Sequence, residues 1–372
     1  MGTTESSVVD SVRAQPGLAL VAILGGLLLV DLLAKLAGVS LGPVGGTLST
    51  GRLRSNLWNG LVIGLVIGLA GIGLSMTYSI LSFANFSHGD LVSTGAFTGW
   101  GVAFLLAGFG DVPLRTLLTV RDAGSASSGD IGAHILSTPG AILIGLLVAF
   151  AVTAVIAVVL DRAFYKPMRD RDGISILIAS IGAALIVRYL LQFVYGSDRR
   201  GVTTSVDASN LVGPFGISVN AHELTIVVAA IGLMLAMHFM LQHTKLGTAM
   251  RAMADNKDLA LITGIPAERV VTATWIIGGG LAGASGYLYV LLRGTIQFDF
   301  GWLLLLLIFA AVILGGIGSV YGAIAGGLVI GIVFTTSTIW IPSDFNEAAA
   351  FAVMILMLLL RPEGLFGGVS TA

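Results

Sequence analysis

The chain has 372 residues, 56% of them hydrophobic and 10% charged, where a soluble domain carries about 25% charged residues; the formal net charge is -1, with 19 Lys and Arg. So little charge excludes a water-soluble globule, the missing basic field excludes nucleic-acid binding, and the absence of Cys excludes disulfides, thiolate catalysis and Cys-held metals. Glycine, at 51 residues, runs at roughly twice ordinary usage without a collagen-like period and sits inside apolar runs, the composition of an all-α polytopic membrane protein.

In chain order, Pro16 to Val30 is an apolar run behind a short polar start. Glu5 and Asp10 offset Arg13, no small-residue cleavage site follows, and the run continues through Asp31 and Lys35, so it reads as a retained span over 17–40 rather than a signal peptide. Asp31 and Lys35, four apart on one helix, neutralise each other. Stretches free of charged residues then run Ser55 to Gly89, Leu91 to Gly110, Ile131 to Leu160, Leu224 to Thr244, Val271 to Leu292 and Phe300 to Ser343. About 20 apolar residues at 1.5 Å rise cross a bilayer core. With Ile174 to Tyr195 and Ala348 to Leu360, the count comes to about ten helices, the last long stretch folding back at Gly315, Gly316, Gly318 and Gly322. Arg188 lies near one end of its span and reads as a snorkelling side chain.

Lys and Arg cluster in two short loops, Arg162 to Arg171 and Lys245 to Arg269, which the charge rule places in the cytoplasm together with both chain termini. The loops Asp111 to Pro139, Ser197 to His222, Arg293 to Asp299 and Pro342 to Glu347 then fall outside; Arg52 and Arg54, also outside, vote against. Asp111 to Pro139, rich in Ser, Gly and Asp, reads as a flexible excursion.

Two places interrupt the spans in corresponding parts of the chain. Asn85-Phe86-Ser87-His88-Gly89-Asp90 puts capping residues and Gly at membrane depth, where they are costly unless they line a cavity or start a half-helix. Gly315-Gly316-Ile317-Gly318-Ser319-Val320-Tyr321-Gly322 is the second. Paired breaks in two pseudo-repeats point to a substrate path at Asn85, Ser87, His88, Gly89, Asp90, Gly315, Gly316, Gly318 and Ser319; the plainer alternative is two tight turns with His88 a satisfied histidine. No second ligand set stands near His88 beyond Asp90, so no metal site is expected. Between the breaks, Thr248 to Ile262 carries helix formers and an apolar set, Met250, Met253, Leu261 and Ile262, ended by Gly264 and Pro266. It reads as one short amphipathic helix, resting on lipid or docking into a cytoplasmic partner. Gly60, Gly64 and Gly68, Gly322 with Gly326, and Gly327 with Gly331 recur every fourth residue and mark close helix packing. The chain has no phosphate-loop signature, no dinucleotide fingerprint, no zinc-protease helix, no nucleophile elbow and no paired intramembrane carboxylates, so it is not expected to be an enzyme.

These segments resemble the permease subunits of ATP-binding-cassette importers for branched-chain amino acids, the Liv type. Asn85 to Asp90 is similar to that family's Asn-Phe-Ala-His-Gly-Asp/Glu, with Ser87 at the Ala position. Gly247, Met250, Arg251, Ala252, Asp255, Gly264 and Ile265 match its coupling loop, here 244–266, with Thr248 where Arg is common. Leu314 to Ser319 and Arg361 to Phe366 match further on. The ribose-type monosaccharide permeases, which carry Asp-Leu-Ser-Val-Gly-Ser at the first motif, are the alternative, with a secondary transporter or channel behind them. The resemblance implies one permease domain over 1–372 with its family core at 56–366, a second permease subunit identical or different, and two cytoplasmic ATPases docked on the coupling loop. It further implies an extracytoplasmic solute-binding protein, an amino-acid substrate, ATP used by the partners, and no cofactor bound by this chain.

Overall fold

The computed structural model describes residues 16–41, 44–110, 131, 133–169, 171–203, 210–212 and 218–366. Most of the expected excursion between Asp111 and Pro139, like the first 15 residues, lies outside them. Among the described residues twelve α-helices follow in order: α1 Pro16–Ala37, α2 Thr50–Leu81, α3 His88–Ala107, α4 Pro139–Leu160, α5 Gly173–Tyr195, α6 Ala221–His243, α7 Lys245–Asp255, α8 Lys257–Ile262, α9 Ala267–Arg293, α10 Phe300–Gly315, α11 Val320–Thr336 and α12 Asn346–Leu360. Eight segments are long and apolar enough to cross a membrane; with α1 and the shorter α10 they make the ten apolar helices expected. Among the described residues only two-residue and three-residue strand pairs accompany them, such as Arg200–Gly201 with Thr295–Ile296.

Helix ends follow local chemistry. Ser49 accepts from Arg52 N at 3.2 Å to start α2, and Asn220 with Glu223 forms a full capping box at α6. Asp172 starts α5 by accepting from Ser175 N at 3.2 Å and Ser175 Oγ at 2.6 Å; these two donors hold its carboxyl below the usual carboxylate range.

α2, α3 and α9 form the buried centre, while α4, α5, α6 and α12 turn Leu147, Val155, Ile178, Phe193, Val228 and Leu359 outward. That apolar exterior fits a hydrocarbon solvent. α2 lies antiparallel on α11 along the expected glycine ladder: a Cβ on Gly64 would stand 2.8 Å from Gly327 O, and Gly60 and Gly331 meet one turn further along. Backbone touches backbone there, so the seam is held by van der Waals contact over its whole length.

The two basic segments lie at one end of the bundle. Glu268, at the start of α9, accepts from Lys166 Nζ at 2.9 Å and Arg169 NH1 at 2.7 Å, and Arg169 also forks onto Asp161 at 2.8 and 2.7 Å. At the far end Trp58 Nε1 donates to Glu223 at 2.8 Å, Asn56 Nδ2 to Thr338 at 3.1 Å, and Trp340 Nε1 to Asp31 at 2.7 Å. Lys35 is paired with Asp31, as its spacing predicts. Arg52 and Arg54 stand at this far end, at the start of α2.

Candidate functional site

The first break begins at Ser82, whose φ of 56° ends α2 in the left-handed region. The chain then turns back into the bundle. His88 Nε2 donates to Ala70 O at 2.9 Å, and Ala70 lies eleven residues before the end of α2, about 16 Å along its axis. α3 therefore starts deep inside, where its first N–H groups meet protein rather than water. Asn85 organises the turn: its Oδ1 accepts from Ser87 N at 3.0 Å, Ser87 Oγ at 2.7 Å and Tyr165 OH at 3.3 Å. Ser87 Oγ and Tyr165 OH are 2.7 Å apart. Phe86 N donates to Ser180 Oγ on α5 at 3.1 Å. Asn85, Ser87, His88 and Asp90 are all buried, and Asn85 Nδ2 finds no acceptor among the described residues. Gly89 packs on Gly301, where a Cβ would meet Gly301 O at 2.6 Å; Gly301 N in turn donates to Ser93 Oγ at 3.2 Å. The N-termini of α3 and α10 thus start side by side.

Arg188 does not snorkel. Its guanidinium forks onto the Asp90 carboxylate, Nε at 3.0 Å and NH2 at 2.9 Å, and lies 4.7 Å from the centre of the Trp302 ring. Hydropathy along the chain places Arg188 near a helix end, but the nearest opposite charge lies inward, and a bidentate partner outweighs the pull of the interface. Asp90 sits in the first turn of α3, where the helix dipole also favours a carboxylate.

The second break is built differently. Gly316 and Gly318 take φ of 105° and 88°, Gly315 meets Gly322 backbone to backbone, and Ser319 Oγ accepts from Gly322 N at 3.0 Å to start α11. Gly318 lies beside Ser79 near the end of α2, so this hairpin belongs to the basic end of the bundle and not to its depth. The segment after α12 completes it: Leu365 N and Phe366 N donate to Leu314 O and Gly315 O, each at 2.9 Å.

At the same end, the expected single helix over 248–262 is two. Asn256 takes an extended backbone, φ -155° and ψ 101°, and its side chain caps α8 by accepting from Leu259 N at 2.9 Å. An Asn that closes one helix and caps the next separates the two. Gly247 is buried under the carbonyls of Met240 and Leu241, and Met250 and Met253 face the bundle, with Arg251 and Ala252 half-buried beside them. Asp255 and Gly264 are exposed and Ile265 is half-buried. The apolar residues presented outward are Leu259, Leu261 and Ile262, the last 82% exposed. Arg251 NH1 donates to Leu241 O and Gln242 Oε1 at 2.9 Å each, and Gln242 Nε2 donates to Tyr321 OH at 3.1 Å. His238 Nδ1 lies 2.7 Å from the same hydroxyl.

The candidate residues therefore fall into three groups. Asn85 to Asp90 form one buried knot, Gly315 to Ser319 one hairpin, and 244–266 a platform joined to the hairpin through Tyr321. Tyr165 and Trp302 are not singled out by the sequence; Tyr321 stands only as a member of the second break, and Arg188 reads there as a snorkelling side chain although a charge within a span carries a functional signal. Among the described residues no group of three or more His, Asp or Glu could hold a metal ion.

Residues 56–360 match the family model described as branched-chain amino acid transport system / permease component. Over 314 residues the chain is 27% identical to the high-affinity branched-chain amino acid transport system permease protein LivH of Escherichia coli K12, covering 84% of this chain and 94% of that protein. The corresponding BraD of Pseudomonas aeruginosa is 27% identical over 84% and 94%. The ribose import permease protein RbsC of E. coli K12 is 25% identical over 70% and 79%.

Proposed function

The chain belongs to the branched-chain amino acid transport permease family, and from that premise we propose that it is the membrane subunit of an ATP-driven importer for branched-chain or other apolar amino acids. It pairs with a second permease subunit, takes substrate from an extracytoplasmic binding protein, and is driven by two ATPases docked at the basic end. That end, with both termini, faces the cytoplasm. The observation that carries this reading is the platform 244–266: an outward apolar face at Leu259, Leu261 and Ile262 on a helix pair tied by Arg251 and Gln242 to Tyr321. A rigid pair of that kind transmits a push from a motor to the hairpin Gly315, Gly316, Gly318 and Ser319 and so to α11. Gly247, Met250, Arg251, Ala252, Asp255, Gly264 and Ile265 are the coupling residues, and Asn85, Ser87, His88, Gly89 and Asp90 contribute to the path, where two adjoining helix N-termini favour a negative group.

Uptake by the reconstituted complex tests it. ATP-driven accumulation of labelled Leu, Ile and Val, and none of ribose, is expected; ribose uptake, or ion conductance from this chain alone, would overturn it. Replacing Ala252 with Trp and Gly264 with Val is expected to cut both uptake and ATPase stimulation more than tenfold while leaving the chain inserted. Unchanged uptake would refute docking at 244–266.

A further inference from the structure

At the far end of the bundle, α9, α10, α11 and α12 enclose a cavity of about 180 Å³ that none of the segments discussed so far explains. Its floor is apolar: Leu304 and Leu307 are buried and Phe334 is half-buried. Its rim carries charges of both signs, Arg199 and Arg293 against Asp299 and Glu347. None of these four side chains forms an ion pair with another. One wall is aromatic and fixed: Tyr289 stacks on Phe300 with centroids 5.6 Å apart and planes 7° from parallel, and the Arg293 guanidinium lies 5.7 Å from the Tyr289 ring centre.

Opposite charges on the rim of one small cavity ordinarily pair with each other. Left apart over an apolar floor, they complement a molecule that carries both charges and a hydrocarbon group, which is a free aliphatic amino acid. The volume is below the roughly 300–1,000 Å³ of drug-sized ligand sites, so one small zwitterion suits it and a peptide does not. Position adds to the case. Leu304 and Leu307 of the floor belong to α10, whose neighbouring Gly301 and Trp302 touch Gly89 and Arg188, so an occupant here rests on the helix that leads to the buried knot.

We propose that this cavity is a reception site for the free amino-acid zwitterion, with Arg293 taking the carboxylate, Glu347 and Asp299 the ammonium, and Leu304, Leu307 and Phe334 the aliphatic side chain. The proposal rests on the amino-acid permease reading and names its first site on this chain. A ligand lacking either charge loses one rim contact, and ribose lacks both.

Equilibrium dialysis of labelled leucine against the purified permease–ATPase complex, without binding protein, tests it. Saturable retention is expected, displaced by isoleucine and valine but not by isopentylamine, 4-methylpentanoate or ribose. Arg293→Gln and Glu347→Gln, both exposed rim positions, are each expected to lower retention at least tenfold. Leu303→Trp, which lines the cavity from an exposed position, fills it while leaving every rim charge in place and is expected to abolish retention. Arg171→Gln at the opposite end is expected to leave retention unchanged. No retention by the wild-type complex, wild-type retention by the rim and Leu303 variants, or equal displacement by isopentylamine would each overturn the site. A wild-type complex that accumulates leucine while the variants behave normally sinks the cavity alone; a complex that accumulates no amino acid sinks the permease reading, with dialysis still deciding the cavity.

Discussion

The two helix breaks solve the same problem with opposite means. At Asn85 to Asp90 the chain enters the bundle's depth and pairs its polar groups with the Ala70 carbonyl of α2 and with side chains from α5 and the turn after α4, Ser180, Arg188 and Tyr165. At Gly315 to Ser319 almost no side chain takes part. The hairpin is made of positive-φ glycines, backbone contact and two hydrogen bonds from the segment after α12. A break far from water needs nearly all of its polar groups paired, because an unpaired polar group there costs several kcal/mol; Asn85 Nδ2 is the exception among the described residues of this break. A break at the basic end can be built for shape alone. The first is therefore rigid through chemistry and the second through geometry, and the second is tied through Tyr321 and Gln242 to the helix pair at 244–266.

This contrast can be broken most directly at Arg188. Arg188→Leu leaves the Asp90 carboxylate buried without its cation, and a loss of about 3–5 kcal/mol is expected, read as a large drop in the thermal stability of the detergent-solubilised protein. The double variant Arg188→Leu with Asp90→Leu should recover most of it; if the single variant is as stable as the parent, the knot does not depend on this pair. Gly318→Val attacks the other break. With φ at 88° a β-branched residue is strained by about 1–3 kcal/mol, yet the larger effect should be on transport: uptake falls while the protein remains folded. Normal uptake by Gly318→Val would return the hairpin to a plain turn. The smallest effect sharpens the first region: Ser87→Ala removes the hydroxyl between Asn85 and Tyr165 at about 1 kcal/mol, and Tyr165 can still reach Asn85 Oδ1, so stability should shift slightly and transport hardly at all. A loss of uptake in Ser87→Ala would give that hydroxyl a role beyond holding the turn.

Both breaks, the ten apolar helices and the glycine ladders were legible because each is a local departure from a run of like residues. What the ladders meet was not: Gly60 and Gly64 announce a close neighbour, but nothing in their spacing names Gly331 and Gly327, more than 260 residues away. Arg188 was misread for the same reason. Its position on its own helix suggested an interface, whereas its partner Asp90 is 98 residues away in sequence and directly across the bundle. The split at Asn256 was readable in principle, since Asn256 followed by Asp258 is a helix-start pattern; the run of helix formers on either side concealed it. Tyr165 gave no signal at all, because an aromatic at a helix end has no period of its own, and Tyr321 stood in the second break with nothing to announce its partners His238 and Gln242.

The strands of backbone that close the second hairpin arrive late. Leu314 and Gly315 emerge during synthesis some fifty residues before Leu365 and Phe366, whose N–H groups occupy their carbonyls. A chain made N-terminus first thus carries an unfinished α10–α11 turn until α12 has been laid down and its following segment has folded back. Completion of this turn is in this sense timed by translation: the helix pair at 244–266 is joined to a finished hairpin only on a chain that has been made at least to Phe366.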